Sequence, residues 1–462
     1  MIAGYCWPQS GRAGETVSLH LHSDHGPVDV AVVRVGAREE RIARWTNVKA
    51  PVQSKPENAA LTGCNWPATL QIHIENDWQT GFYRVDIRSE ERSGEAFFVV
   101  KAQDNTKVDA VLVLATSTWA AYNDWGGPSY YTGGTVCALK RPLPRGFLKK
   151  DNPRKQRCGL FIDWTEEDQA SFRKAGYSGW SLPAGWAGWE QLFVQWAETQ
   201  GLSLAYGVSQ DLIFDDSLLD DVPLYLSVGH DEYWSSLMRD NLEKFIVAGG
   251  NVAFFSGNTC CWQVRSEDKG NALTCWKQGY NLDPIFRKSD HKLLSTLWSH
   301  HLVQRPENKL TGVGFLWGGY HRSHGQFMDG PASFIAHRPK HWVFEGTKLK
   351  HGDRFGGKDT IVGYECDGCE MKWENGLPSP TGRDGTPKTF TILGTCPARW
   401  APGDSLWYDR FPKDRVGAAV MGLYTRGGTV FTSGTTDWAH GLRGKDPAVE
   451  RITRNILNRL SK

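Results

Sequence analysis

The sequence predicts a small all-β sandwich over residues 1–103 followed by an α/β domain over residues 104–462, built on a mostly parallel, doubly wound sheet. Three observations lead there. Short stretches of alternating hydrophobicity fill the N-terminal part. VDAVLVLAT (108–116) is apolar throughout, as in a strand whose two sheet faces are both covered. Beyond it, strand-like and helix-like segments alternate.

The sandwich strands are TVSLHLHS (16–23), VDVAVVRVG (28–36), GFYRVDIRS (81–89) and EAFFVVKA (95–102), separated by Gly, Pro, Asn and Asp. After DNTK (104–107) the apolar strand begins, and WEQLFVQWAETQG (189–201) reads as a helix. LSLAY (202–206) and VPLYLSVG (222–229) are the next strands. In SSLMRDNLEKFIVAGG (235–250), Met238, Leu242, Phe245 and Ile246 share one helical face, and the glycines mark its end. NVAFFSGN (251–258) returns as a strand. Residues 300–440 are richer in Gly, Trp and short strands, of which TIVGYE (360–365) and GTVFTSGT (428–435) are clearest. The tail DPAVERITRNILNRLSK is a helix.

Composition narrows the function. A formal net charge of +2 over 462 residues gives no global attraction to nucleic acid or to an anionic membrane, so neither is expected as a partner. The basic run KKDNPRKQR (149–157) reads as a solvated loop. The opening residues lack a basic n-region and an apolar h-region, and AVLVLA (110–115) is too short to span a bilayer. The ten cysteines show no disulfide framework spacing. CDGC (366–369) is a lone CxxC, and a zinc site wants four ligands, so the expectation is structural, reduced thiols in a cytoplasmic protein.

Chemistry concentrates after strand ends, where open α/β sheets bind ligands. Tyr122 and Asn123 follow the first α/β strand, His230 and Glu232 follow LYLSVG, Asn258 follows VAFFSG, and Glu365 ends TIVGYE. Adjacent strands lie about 4.8 Å apart, so these groups could share a pocket. Each alone could equally be a cap or a loop hydrogen bond. There is no GxSxG, HExxH, Walker or GxGxxG motif, and SVGHDEYW offers no Ser or Cys nucleophile. Cys260 and Cys261 have nothing beside them to mark a low-pKa thiolate. The 21 tryptophans suit core packing, an apolar pocket or a carbohydrate platform.

Five blocks, in order, then carry a resemblance: ATSTWAAYNDWGG (115–127), SVGHDEYW (227–234), VAFFSGNTCCW (252–262), IVGYECDG (361–368) and TSGTTDWAHGL (432–442). They resemble the catalytic domain of the N,N-dimethylformamidase large subunit, and more closely its shorter large-subunit-like relatives. The likeness spans most of residues 108–445, and the N-terminal sandwich is similar to the domain that precedes it in the family. It implies a mononuclear Fe(III) held by two tyrosinates and one carboxylate. The family's HxE motif matches His230 and Glu232, making Glu232 the carboxylate ligand and His230 a neighbouring catalytic histidine. Tyr122 matches the first tyrosine, and Tyr131, with Tyr130 as the alternative, the second. Asn258 and Glu365 match further active-site positions, while Asp231 stands where the amidase has proline.

A phenol ionises near pH ~10, so it binds as phenolate only beside a strong Lewis acid. Three anionic oxygen donors neutralise and suit a hard Fe(III). The implied activity is hydrolysis of small amides or related C–N bonds, with the carbonyl polarised by the metal and attacked by water. Glu365 and His230 would share the proton transfers, or Glu365 alone would act as base while His230 orients Glu232. Asn258 would donate to the developing oxyanion. Two other readings compete: a non-catalytic carbohydrate-binding or scaffold protein, and a glutamine-amidotransferase-like fold lacking its nucleophile. A small-molecule amide is the expected partner. A homo-oligomer and an additional small subunit stay open.

Overall fold

A computed structural model describes residues 1–104, 106–401, 403–408 and 415–462. The chain forms two compact units. One comprises Met1–Asp151, Glu166–Asp221 and Ser266–Thr274, the other Asn152–Thr165, Val222–Arg265 and Cys275–Lys462.

In the first unit, Ile2–Trp7, Thr16–Ser23 and Leu70–His73 make an antiparallel sheet. A second sheet joins Ser93–Val100, Gly81–Arg88, Val28–Val35 and Glu39–Val48 through antiparallel pairs. Alternation explains how they meet: Val17, Leu19 and Leu21 of one sheet share a core with Val30, Val32, Val85, Ile87 and Phe98 of the other. The opposite face of the second sheet is also covered. Phe82 stacks on Trp186 with centroids 4.0 Å apart, and Phe97 meets Trp119 edge-on at 5.2 Å. Lys101 reaches Asp215 at 2.6 Å and Asp211 at 3.4 Å. The boundary expected at 103/104 thus falls inside this unit. Ala110–Leu114 pairs in parallel with Leu204–Val208, and Thr116–Tyr122 is a short helix straight after the first of these strands.

The second unit corrects the expected sheet. Leu224–His230, Asn251–Gly257 and Gly428–Thr432 do run parallel. Beyond them Val416–Arg426, Thr391–Arg399, Phe334–Ala336 and Arg354–Phe355 are added antiparallel. The fold is therefore a β-rich mixed α/β arrangement, not a doubly wound parallel sheet. A parallel neighbour needs a crossover of a dozen or so residues, usually helical. Val416–Arg426 instead turns at Gly427 straight into Gly428–Thr432, a hairpin that fixes them antiparallel. TIVGYE is also not a strand. Thr360 is left-handed (φ 53°), and the chain turns there so that Gly363 lies against the Asp437 carboxylate. The strand is the following Cys366–Gly368.

The helices follow their sequence signals. Ser236–Val247 is capped by the Ser235 hydroxyl, which accepts from Met238 N, and it buries Met238, Leu242 and Ile246. Pro447–Leu460 begins at an Asp446 cap and buries Val449, Ile452, Ile456 and Leu457 on one face. Among the described residues, no helix is long and apolar enough to cross a membrane. Nine of the ten cysteines are buried, and Cys158 is half-buried. The basic run is not simply solvated: Arg157 is buried, and its Nη2 donates to the Asp359 carbonyl at 2.7 Å.

Glu307 gives the stability of this unit a pH dependence. Burial pushes its carboxyl up to about 7, although the Ser299 hydroxyl donates to it at 2.5 Å. A folded pKa above the unfolded one means that stability falls as pH rises from ~4 through 7. Glu307→Gln should therefore gain on the parent protein by up to about 3 kcal/mol between pH 5 and pH 8. Thermal melts at both pH values measure this, and an unchanged difference would remove Glu307 as the cause.

Candidate active site

Parallel register assembles the first half of the site. His230 ends its strand opposite Gly257 of the neighbouring strand, with Gly229 opposite Ser256. Gly229 has φ +80°, a conformation natural to glycine, and it turns the chain into HDE. Asn258 follows Gly257 in a left-handed conformation (φ 49°), which asparagine tolerates. The backbone then pairs again: Cys260 N donates to Asp231 O at 2.9 Å and Trp262 N to Glu232 O at 3.0 Å.

The second half comes from two loops. Thr436 N donates to the Glu365 carbonyl at 3.1 Å, and Asp367 N donates to Gly434 O at 3.0 Å. Thr259 N donates to Asp367 Oδ2 at 3.0 Å, which ties the Asn258 turn to the Glu365 loop. Gly257 is the pivot. A Cβ there would meet the Thr436 amide, Thr435 C at 2.6 Å and the Glu365 carbonyl oxygen at 2.7 Å, all backbone atoms that cannot rotate aside. Gly257→Ala should cost about 2–3 kcal/mol of stability by overpacking, together with loss of the site. A thermal midpoint within error of the parent would contradict this.

At the centre His230 Nε2 lies 2.7 Å from Glu365 Oε2 and 3.2 Å from Glu232 Oε2. All three residues are buried, as is Asn258, whose side chain hydrogen-bonds Glu365. Burial disfavours an imidazolium, but Glu365 and Glu232 outweigh it and hold the His230 pKa well above its usual value. Burial likewise pushes the Glu365 carboxyl up, against the attraction of His230. Asp231 points the other way. Its carboxylate accepts from Ser227 Oγ at 2.7 Å and from Trp234 Nε1 at 2.9 Å. The two-residue alternation of an extended segment separates it from His230 and Glu232.

Two neighbours were not singled out in the sequence. Lys277 is buried, donates to Tyr233 Oη at 3.0 Å and sits 4.8 Å from the centre of the Trp262 ring. Burial lowers its pKa, and Glu232 is the first group opposing that. Tyr320 donates from its hydroxyl to Glu365 Oε1 at 3.3 Å. Neither belongs to a recognisable motif. A lysine between aromatic residues in CWKQGY is the only hint of the first. Cys260 and Cys261 are fully buried, and burial raises both thiols, so neither is a thiolate.

In the other unit, Tyr122 and Tyr131 lie together. Their rings stack with centroids 4.3 Å apart, and the Tyr131 hydroxyl donates to Tyr122 Oη at 2.6 Å. Tyr130 points elsewhere, its hydroxyl donating to Leu273 O at 2.7 Å. Asn123 is a turn residue, donating to Pro142 O and accepting from Trp125 N. Among the described residues no group of three His, Cys, Asp or Glu side chains is arranged to hold a metal ion. The paired phenol oxygens are a different kind of donor. Two hard oxygens presented 2.6 Å apart, one from a buried residue, fit the chemistry of a hard trivalent cation.

The family model described as N,N-dimethylformamidase beta subunit-like, C-terminal, matches residues 29–451. The chain belongs to this family. No curated protein matches it.

Proposed function

We propose that the chain is an iron-dependent hydrolase of small amides or related C–N bonds. One observation carries the reading: a buried imidazole held between two carboxylates, 2.7 Å from Glu365 and 3.2 Å from Glu232, in a chain of the dimethylformamidase-like family. Such a charged group is expensive to bury and concentrates at functional sites.

Tyr122, Tyr131 and Glu232 would hold Fe(III), which when bound supplies Lewis-acid polarisation of the amide carbonyl. Glu365 removes a proton from the attacking water. Its His230 neighbour stabilises the carboxylate and, as imidazolium, can return a proton to the leaving amine. Asn258 has two amide hydrogens: one serves Glu365, and the other is available to the developing oxyanion. Water enters as the second substrate, and the products are a carboxylic acid and an amine.

Metal analysis with a small-amide screen tests the reading. Protein purified with iron should hold about one ion per chain, show the visible band of Fe(III)–tyrosinate, and release amine from formamides or acetamides. A colourless, metal-free protein that hydrolyses none of them would end the proposal.

A further inference from the structure

We infer that Tyr320 is a positioning residue that fixes the Glu365 carboxyl for proton transfer. This rests on the hydrolase reading of Glu365 and adds to it a residue outside every motif of the chain. The Glu365 carboxyl is held from both oxygens. Oε2 faces His230 Nε2 at 2.7 Å, and Oε1 accepts from the Tyr320 hydroxyl at 3.3 Å. The Asn258 amide also hydrogen-bonds this carboxyl, whose final torsion is otherwise broad and soft. The Tyr320 hydroxyl adds a donor at Oε1, opposite the oxygen that faces the imidazole, and so restrains that rotation further.

Tyr320 is built to stay where it is. Its backbone forms a two-way bridge with Arg399, Tyr320 N donating to Arg399 O at 2.7 Å and Arg399 N to Tyr320 O at 2.9 Å. The ring is enclosed by Phe315 at 5.7 Å, His324 at 5.4 Å and Phe327 at 5.8 Å between centroids. Burial, reinforced by the Glu365 charge, raises the phenol well above its usual pKa, so it remains a donor toward the carboxylate. A tyrosine that served only to fill space would not need its hydroxyl aimed at a buried acid, since phenylalanine fills the same volume without a polar atom to satisfy.

Tyr320→Phe tests this on the intact chain. A hydrogen bond to a charged group predicts kcat lower by about 10- to 100-fold. KM should stay within about twofold, because ground-state binding does not change, and the thermal midpoint should fall by no more than the few degrees that one lost hydrogen bond costs. In a Glu365→Gln background the same substitution should have no further effect on kcat, since the residue acts through Glu365. Isotope-edited infrared spectra give a reading independent of turnover: the carboxyl band lost in Glu365→Gln should shift in Tyr320→Phe. An unchanged kcat, an equal loss in both backgrounds, or an unshifted band each overturns the inference. If the parent protein hydrolyses no amide, the hydrolase reading falls separately, and the band alone then decides the Tyr320–Glu365 contact.

Discussion

Glu365→Gln should lower kcat for amide hydrolysis by about a thousandfold while leaving the fold and the bound iron in place. General acid–base catalysis by a positioned side chain is worth about 10²–10⁴ in rate, and this carboxyl has no substitute within the described site. Glu232, the other carboxylate beside His230, is proposed as a ligand of the metal. The exchange is nearly isosteric, so packing against the Thr436 amide survives because that contact is to the backbone carbonyl. The electrostatics do not survive. His230 depends on Glu365 first for its raised pKa, and an amide nitrogen facing Nε2 would set donor against donor. The imidazolium then keeps only Glu232 as its carboxylate partner, which weakens its hold on the proton for the leaving amine. Steady-state kinetics, a melting curve and iron content together check this. Native-like kcat would remove Glu365 from the reaction, and a collapsed melting midpoint would mark it as structural instead.

The sequence made part of this site legible for a definite reason. Alternation in an extended segment is strict, so the sequence places His230 and Glu232 on one side and Asp231 on the other. The structure has Asp231 on Ser227 and Trp234 and the other two together. Asn258 was equally readable, because a strand end beside a strand end leaves little freedom. Glu365 was found for a partly wrong reason. It does not end a strand but lies in a loop held by the Thr436 amide, a contact some seventy residues away in sequence that no local pattern encodes. Lys277 and Tyr320 were invisible for the same cause: each reaches the site through tertiary packing, not periodicity. The expectation of a parallel sheet fails because, among the described residues between Asn251 and Asp437, the helices shrink to short turns and antiparallel hairpins take over. The boundary at 103/104 was drawn from a change in pattern, which does not register that Phe82 and Phe97 have tryptophan partners at 186 and 119.

Glu232→Gln should lose most of the iron and the visible tyrosinate band, with a thermal midpoint close to that of the apo parent. Three anionic oxygens would balance a tripositive ion. Removing one leaves a net positive charge in a buried site, where an unpaired charge is costly. Substituting an outer partner of a metal typically costs 10–100-fold in affinity, so losing a direct anionic ligand should cost at least ~100-fold. Tyr122→Phe should act likewise, because it removes a phenol oxygen from the pair that meets Tyr131 at 2.6 Å. The double variant should be no worse than the poorer single, as for groups that serve one ion. Asp231→Asn is the control: its carboxylate is fully used by Ser227 and Trp234, so the variant should keep iron and colour even if it melts differently. Iron per chain and the absorption spectrum, recorded on all four variants, decide the matter. Retention of iron by Glu232→Gln with loss in Asp231→Asn would reverse the ligand assignment. Full retention in all four would place the iron on other donors, and Glu232 and Tyr122 would lose their assignment as its ligands.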